Sequence, residues 1–212
     1  MDIFIDIHPT RTELCDIMTT YGSDKGDNHQ HNYTQYYYEL FKNIRNNNLR
    51  IFELGLGTNN INLPSNMGIN GKPGASLRGW KHFFSNSNIF GADIDKNILF
   101  EEDRIKTYYC DQNSPYDIKN MWNNQDLIED FDIIIEDGMH EFEYNVTFFE
   151  NSIHKVKSNG VFIIEDIKQI FLSKWIEQLN MWKNKYPNLI FRLYNIPFTN
   201  PIDNCLIIAQ KI

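Results

Sequence analysis

The sequence predicts an α/β domain in which a mostly parallel sheet carries helices on both faces. Two observations support this. Short β-rich runs alternate with longer helical patterns along the 212 residues. Two of the runs, F-D-I-I-I-E-D (Phe131 to Asp137) and G-V-F-I-I-E-D (Gly160 to Asp166), stay apolar until they end in carboxylates, the pattern of strands buried on both faces. The length fits one domain with a full core and leaves little room for a second.

The elements follow in order. Residues 1–32 read as a polar lead-in with histidines and glycines, and residues 33–212 as a single domain. A helix from Tyr33 to Asn46 precedes the first strand, Leu49 to Leu54. A long loop, Thr58 to Gly74, and a helix, Ser76 to Ser85, lead to the second strand, Asn88 to Asp93. The third strand is Arg104 to Asp111. Phe131 to Asp137 is the fourth, followed by a helix from Glu141 to Lys157. Gly160 to Asp166 is the fifth, followed by a helix from Ile167 to Tyr186. The alternation then breaks. Leu189 to Asn195 and Asn204 to Lys211 are strands joined by a Pro-containing connection with no helix between, which implies an antiparallel pair.

Hydrophobic residues make up 42% and aromatic residues 14%, which argues for a packed globule over a disordered chain. The formal charge is -8, so a broad basic face for nucleic acid is not expected. Cys15, Cys110 and Cys205 are far apart, odd in number and without a C-x-x-C pair. Buried free thiols are expected rather than a zinc site or disulfides. No apolar run approaches the ~20 residues of a membrane span. The opening M-D-I-F-I-D-I-H-P has acids where a signal peptide carries positive charge. A cytoplasmic protein without nucleic-acid or membrane partners is expected.

Ligands of open α/β sheets sit beyond the carboxyl ends of the strands. The turn Glu53-Leu54-Gly55-Leu56-Gly57 leaves the first strand there, and its glycines let the backbone approach a ligand closely. Alone, the pair equally fits a turn that needs positive φ. Its context points to an adenosine. The second strand ends in Asp93, a carboxylate able to accept both hydroxyls of a ribose. The third ends in Asp111-Gln112, an acid–amide pair able to hydrogen-bond adenine. No Walker lysine or pyrophosphate fingerprint accompanies them, which disfavours ATP and NAD.

A second constellation lies two strands away. The fourth strand runs into E-D-G-M-H, with Asp137 and His140, and the fifth ends in Glu165-Asp166. Three neighbouring carboxylates repel one another unless a cation stands among them. Oxygen ligands favour Mg²⁺ or Ca²⁺ over zinc. His140 has the chemistry to act as a general base that takes a proton from a hydroxyl. The competing reading is that Asp137 and His140 cap the following helix while Glu165 and Asp166 are solvated.

The E-L-G-L-G turn, the G-A-D acid, the D-Q pair and the terminal antiparallel strands resemble the class I S-adenosylmethionine-dependent methyltransferases. That resemblance implies a Rossmann-like, seven-stranded sheet in the order 3-2-1-4-5-7-6 with the last strand reversed. It implies that Gly55 and Gly57 face the methionyl part of the cofactor, Asp93 the ribose, and Asp111 and Gln112 the adenine. Y-G-S-D-K-G, H-N-Y-T-Q-Y-Y, G-A-S-L-R-G-W-K, E-D-G-M-H and I-I-E-D are, together, similar to the macrocin and mycinamicin sugar O-methyltransferases. This narrower resemblance covers most of residues 20–170. It implies a metal, Mg²⁺ or a similar divalent cation, at Asp137, Glu165 and Asp166, with His140 as base. The family often has Asp where Glu165 stands.

The resemblance also places the segment around Ser23, Asp24, Lys25 and Tyr33 over the cofactor, with Lys25 toward its carboxylate. The alternative is an ordinary solvated loop with Thr34 as a cap. His29 and His31 carry only a weak suggestion of metal binding. The loop Thr58 to Gly74 has the length and composition of a mobile active-site loop. Trp80, Phe83 and Phe84 read as core, and Trp175 and Trp182 as packing residues. The acceptor class is a carbohydrate: a nucleotide-linked sugar, a surface-polysaccharide sugar or a glycoside. A homo-oligomer is compatible with the sequence. Two further readings stay open: a catechol-type metal-dependent O-methyltransferase, and a cofactor-binding subunit without catalysis.

Overall fold

The computed structural model describes residues 10–26, 31–196 and 202–212. The expectations for the opening nine residues, for His29 and for most of the Pro-containing connection lie outside these residues. Eight strands form one sheet: β1 (Arg50–Leu54), β2 (Asn88–Asp93), β3 (Glu101–Glu102), β4 (Ile105–Tyr109), β5 (Phe131–Glu136), β6 (Val156–Ile164), β7 (Leu189–Asn195) and β8 (Cys205–Lys211). Their spatial order is β3-β4-β2-β1-β5-β6-β8-β7. Leaving out β3, this is the expected order of seven strands. β3 is a two-residue antiparallel addition on the edge beside β4. β4, β2, β1, β5 and β6 run parallel. β8 is antiparallel to both of its neighbours.

Each central strand feeds two cores because successive side chains point to opposite faces. Phe52, Ile134, Phe162 and Ile164 enter one cluster, while Ile51, Ile133, Ile135 and Ile163 enter the other. The second face is covered by α1 (Glu13–Tyr21), α2 (Tyr33–Phe41) and α3 (Ala75–Phe83). The first is covered by α4 (Pro115–Trp122), α5 (Phe142–Ser152) and α6 (Leu172–Lys185). Trp175 and Trp182 pack inside the first cluster, with ring centroids 5.9 Å apart. Trp80, Phe83 and Phe84 pack inside the second.

Two helices were not expected. α1 lies within the segment read as a polar lead-in, so the boundary at residue 32 does not separate a lead-in from the domain. Leu14, Ile17 and Met18 are buried in the same core as α2 and α3. Thr12 caps the start of α1 by pairing with Cys15, and Gly22 ends it at φ 87°. α4 connects β4 to β5. Ser114 accepts the N–H of Asp117, Pro115 opens the helix, and Ile118, Met121 and Trp122 are buried. Other elements shift at their ends. α2 stops at Phe41 instead of Asn46, and α5 tightens into a 3-10 turn at Ile153–Lys155. β6 starts at Val156 rather than Gly160. Among the described residues no helix is long and apolar enough to cross a membrane.

Candidate active site at the carboxyl ends of the strands

β1 lies between β2 and β5, so the chain reverses its direction of winding there. That is the position at which open α/β sheets bind ligands. A cavity of ≈ 280 Å³ opens beyond the ends of these strands. The glycine turn forms one wall. Gly55 and Gly57 hold φ values of 93° and 73°, where a side chain is disfavoured. A Cβ on Gly55 would stand 1.8 Å from the Asp137 carbonyl oxygen. The turn is therefore built against β5, not only toward a ligand.

Asp93 lines the cavity and also braces the turn. One oxygen accepts the N–H of Leu56 and the other the N–H of Asp95, both at 2.8 Å. Asp111 and Gln112 line the cavity as well. The Gln112 amide is spent on the protein. It donates to Glu136 Oε1 at 2.6 Å and accepts the Met139 N–H at 2.8 Å. Glu136 is fully buried, and burial pushes its carboxyl up to about 7. The loop after β1 borders the opening through Pro64, Ser65, Met67 and Lys72. Ser65 Oγ donates to the Met139 carbonyl at 3.1 Å.

The second constellation meets the first at this cavity. Asp137 follows β5, His140 follows three residues later, and Asp166 follows β6. His140 Nε2 is 3.2 Å from both Asp137 Oδ1 and Asp166 Oδ2. One ligand atom from each of the three residues falls within a 4.8 Å cluster. Burial disfavours the imidazolium, but Asp166 and Asp137 outweigh it and raise His140 to about 10. Burial likewise opposes charge on Asp137, where Lys25 and His140 prevail and hold the carboxyl well below its usual range. Asp166 is pushed up, first by burial.

Three expected site residues stand outside the cavity wall: Glu53, Tyr33 and Glu165. Each is at most 1% exposed and committed to a partner inside the protein. Glu53 accepts from Ser76 Oγ and Trp80 Nε1 on α3. Tyr33, expected as a lid contact, donates instead to Asp166 Oδ1 at 2.5 Å. Glu165, expected as a metal ligand, accepts the Tyr37 hydroxyl on one oxygen and the Lys25 ammonium on the other. Lys25, expected to meet a cofactor carboxylate, is 2% exposed and paired with Asp137 and Glu165. Lys25 itself lines the cavity together with Ser23 and Asp24.

The carboxylates of Asp137 and Asp166 remain directed at the cavity beside His140. Two such oxygens suit Mg²⁺, which keeps several waters or substrate oxygens in its shell. The adjoining glycine turn, Asp93 and Asp111 line the same cavity.

Demethylmacrocin O-methyltransferase of Streptomyces fradiae is 35% identical over 137 residues, 65% of this chain and 32% of that protein. Mycinamicin VI 2''-O-methyltransferase of Micromonospora griseorubida is 32% identical over the same lengths and shares. The chain is similar to the macrocin- and mycinamicin-type sugar O-methyltransferases. It spans about a third of the length of these relatives. The mycinamicin-pathway methyltransferase MycE, solved with Mg and SAH, superposes with a TM-score of 0.73 at 23% identity. That match covers 96% of this chain and 55% of the other. A putative caffeoyl-CoA O-methyltransferase from Staphylococcus aureus gives 0.60 at 14% identity, covering 95% and 93%. The fold is thus the Rossmann-like fold of S-adenosylmethionine-dependent methyltransferases. No protein-family model matches the chain.

The support behind the acids was not foreseen: Tyr33 was expected at the cofactor, and Tyr37 was not singled out. Tyr33 and Tyr37 lie four apart on α2, hence on one face. They serve consecutive acids, Asp166 and Glu165. His31 stacks on Tyr33 and places Nδ1 3.3 Å from Asp166 Oδ1. The spacing in H-N-Y-T-Q-Y-Y carried the helical signal. Which acids that helix would face depends on the packing of α2 against β5 and β6.

Proposed function

We propose that this chain is a methyltransferase domain that transfers a methyl group from S-adenosylmethionine to a sugar hydroxyl with help from a divalent cation. One observation carries the reading: Asp137, His140 and Asp166 meet within 4.8 Å, beside a cavity walled by the glycine turn. The named activity of the relatives and the Mg and SAH of the MycE structure support it. Gly55, Gly57, Asp93 and Asp111 are assigned to the cofactor, with Gln112 holding the floor beneath it.

S-adenosylmethionine would supply an electrophilic methyl group, and a divalent cation on Asp137 and Asp166 would neutralise their field and acidify the acceptor hydroxyl. His140 accepts the hydroxyl proton. It does so only in its neutral form, so the pull of the two carboxylates on the imidazolium must first be relieved. Asp137 orients the imidazole through Oδ1. Tyr33 and His31 hold Asp166 from behind. The cavity walls align the two reactants, which supplies much of the acceleration in such a displacement. A catechol acceptor needs no histidine base, and the placement of His140 favours the sugar reading.

The test is methyl transfer from labelled S-adenosylmethionine to a panel of glycosides and nucleotide-linked sugars, with and without exhaustive chelation. Asp137→Ala and His140→Ala should abolish turnover and leave S-adenosylhomocysteine binding nearly intact. Full turnover in either variant, or indifference to chelation, contradicts the assigned chemistry.

A further inference from the structure

The turn that carries His140 has no backbone ladder to hold it. Among the described residues, no backbone–backbone hydrogen bond reaches Gly138, Met139 or His140. Side chains hold it instead. Glu136 Oε1 accepts the Gly138 N–H at 3.1 Å, and Gln112 Oε1 accepts the Met139 N–H at 2.8 Å. Ser65 Oγ donates to the Met139 carbonyl at 3.1 Å. The peptide groups on both sides of Met139 are thus gripped, one by Gln112 and the other by Ser65. His140 follows directly, at φ 58°.

The two grips differ in kind. Glu136 and Gln112 are 0% and 7% exposed and bonded to each other at 2.6 Å. Ser65 stands exposed on the loop between β1 and α3. That loop is tied down at its base. Thr58 Oγ1 donates to Asp95 Oδ2 at 2.6 Å, and the Thr58 carbonyl accepts the Met67 N–H at 2.7 Å. The Gly74 N–H donates to the Leu56 carbonyl at 2.7 Å. Between these ties the loop lies against the glycine turn: a Cβ on Gly57 would stand 2.9 Å from Met67 Cγ. Pro64, Ser65 and Met67 line the cavity together with Gly55 and Gly57. The loop that borders a ligand on the glycine turn therefore also grips the Met139 carbonyl.

We propose that Ser65 is a positioning residue through which this loop, closed over the cofactor, fixes the turn that carries His140. The inference rests on the cofactor reading above and adds a physical link from the filled cofactor site to the placement of the base. A single exposed hydrogen bond contributes little, so in the free protein the loop releases Met139 part of the time. A bound cofactor holds the loop down, and the Ser65 hydroxyl passes that restraint to Met139. The coupling is reciprocal, as any linkage between two sites must be.

Amide hydrogen exchange on the full chain, read residue by residue by NMR, tests this without turnover. S-adenosylhomocysteine is the probe, and calorimetry of its binding shows that each protein is folded. In the wild type, saturating S-adenosylhomocysteine should slow exchange of the Met139 amide by about threefold or more, the scale of one hydrogen bond. Ser65→Ala should still bind the probe and lose most of that slowing. Ser65 holds φ 53°, a conformation that suits glycine and not alanine. Ser65→Gly is therefore the second variant, because it removes the hydroxyl without straining the loop. It should behave as Ser65→Ala does. Wild-type slowing in either variant overturns the proposal; if Ser65→Gly alone keeps it, the effect belongs to the backbone and not to the hydroxyl. A wild type that binds the probe with no slowing at Met139 overturns it too. Loss of binding in both variants would make Ser65 a cofactor contact rather than a link, which also overturns it. A wild type that does not bind S-adenosylhomocysteine refutes the cofactor reading itself, and the proposal with it.

Discussion

His140 Nε2 lies 3.2 Å from Asp166 Oδ2, and both residues hold left-handed backbones, at φ 58° and 54°. For a residue with a side chain that region costs about 1–2 kcal/mol. The ladder between β5 and β6 sets their ends side by side, and the two strained positions follow at the cavity, where stored strain of this kind is often functional. His140→Gly and His140→Ala both remove the imidazole, so their difference reports the backbone alone. The glycine variant should be more stable by about 1 kcal/mol in thermal unfolding. Equal stability would show that position 140 carries no strain.

Gly55 packs against the backbone of the neighbouring strand's exit. A methyl group there would stand 1.8 Å from the Asp137 carbonyl oxygen, at a φ of 93° that alanine disfavours. Gly55→Ala should lose at least about 1–3 kcal/mol of stability from overpacking, and S-adenosylhomocysteine binding with it. Denaturant unfolding and calorimetry check the two effects. A variant with wild-type stability would mean that β1 and β5 exit farther apart than described.

The packing of α1 makes residues 13–21 part of the domain. Met18 is fully buried, and its sulfur lies where a Cβ on Gly79 of α3 would project, 2.3 Å away. Met18→Ala should cost about 2–5 kcal/mol, as buried methionines do when truncated. A loss well under that range in urea unfolding would place α1 outside the cooperative core.

A surface ion pair ties α1 to the chain just after α2. Arg45 donates to both Glu13 oxygens, at 2.5 and 3.1 Å. Those bonds hold the Glu13 carboxyl below its ordinary value of 4.5. A carboxyl depressed in the folded state adds stability above its ordinary value, and that stability disappears as pH falls through the folded value. Glu13→Gln should therefore lower stability at neutral pH by less than about 1 kcal/mol, given the exposure of the pair. The two proteins should converge once pH has fallen below the folded value, which lies under 4.5. A difference that grows on acidification would contradict the assignment. Thermal unfolding across that pH range decides it.

Much of the fold was legible because its central strands are unambiguous. I-I-I in β5 and F-I-I in β6 fill both cores, and the strand-end acids of Asp93, Asp111, Asp137 and Asp166 mark the carboxyl edge. α1 and α4 were missed although their signals were present: Thr12 and Gly22 bracket one, and Ser114-Pro115 opens the other. Both helices are short, eight or nine residues, so few apolar positions reveal their period. The site was legible to the level of which acids gather, not which way each faces. Glu165 and Asp166 are adjacent in sequence, and only the packing of Lys25 and Tyr37 shows that one is enclosed while the other lines the cavity. The pairing of Lys25 is long-range, 112 residues from Asp137 and 140 from Glu165, and no local pattern encodes it.

Titration calorimetry of S-adenosylhomocysteine into the wild type and into Asp93→Ala tests most directly whether the cavity at the strand ends is a cofactor site. The wild type should bind one equivalent, and Asp93→Ala should lose most of that affinity while remaining folded. No binding by the wild type, or binding that is indifferent to Asp93, would contradict the assignment of the glycine turn and its acids to S-adenosylmethionine.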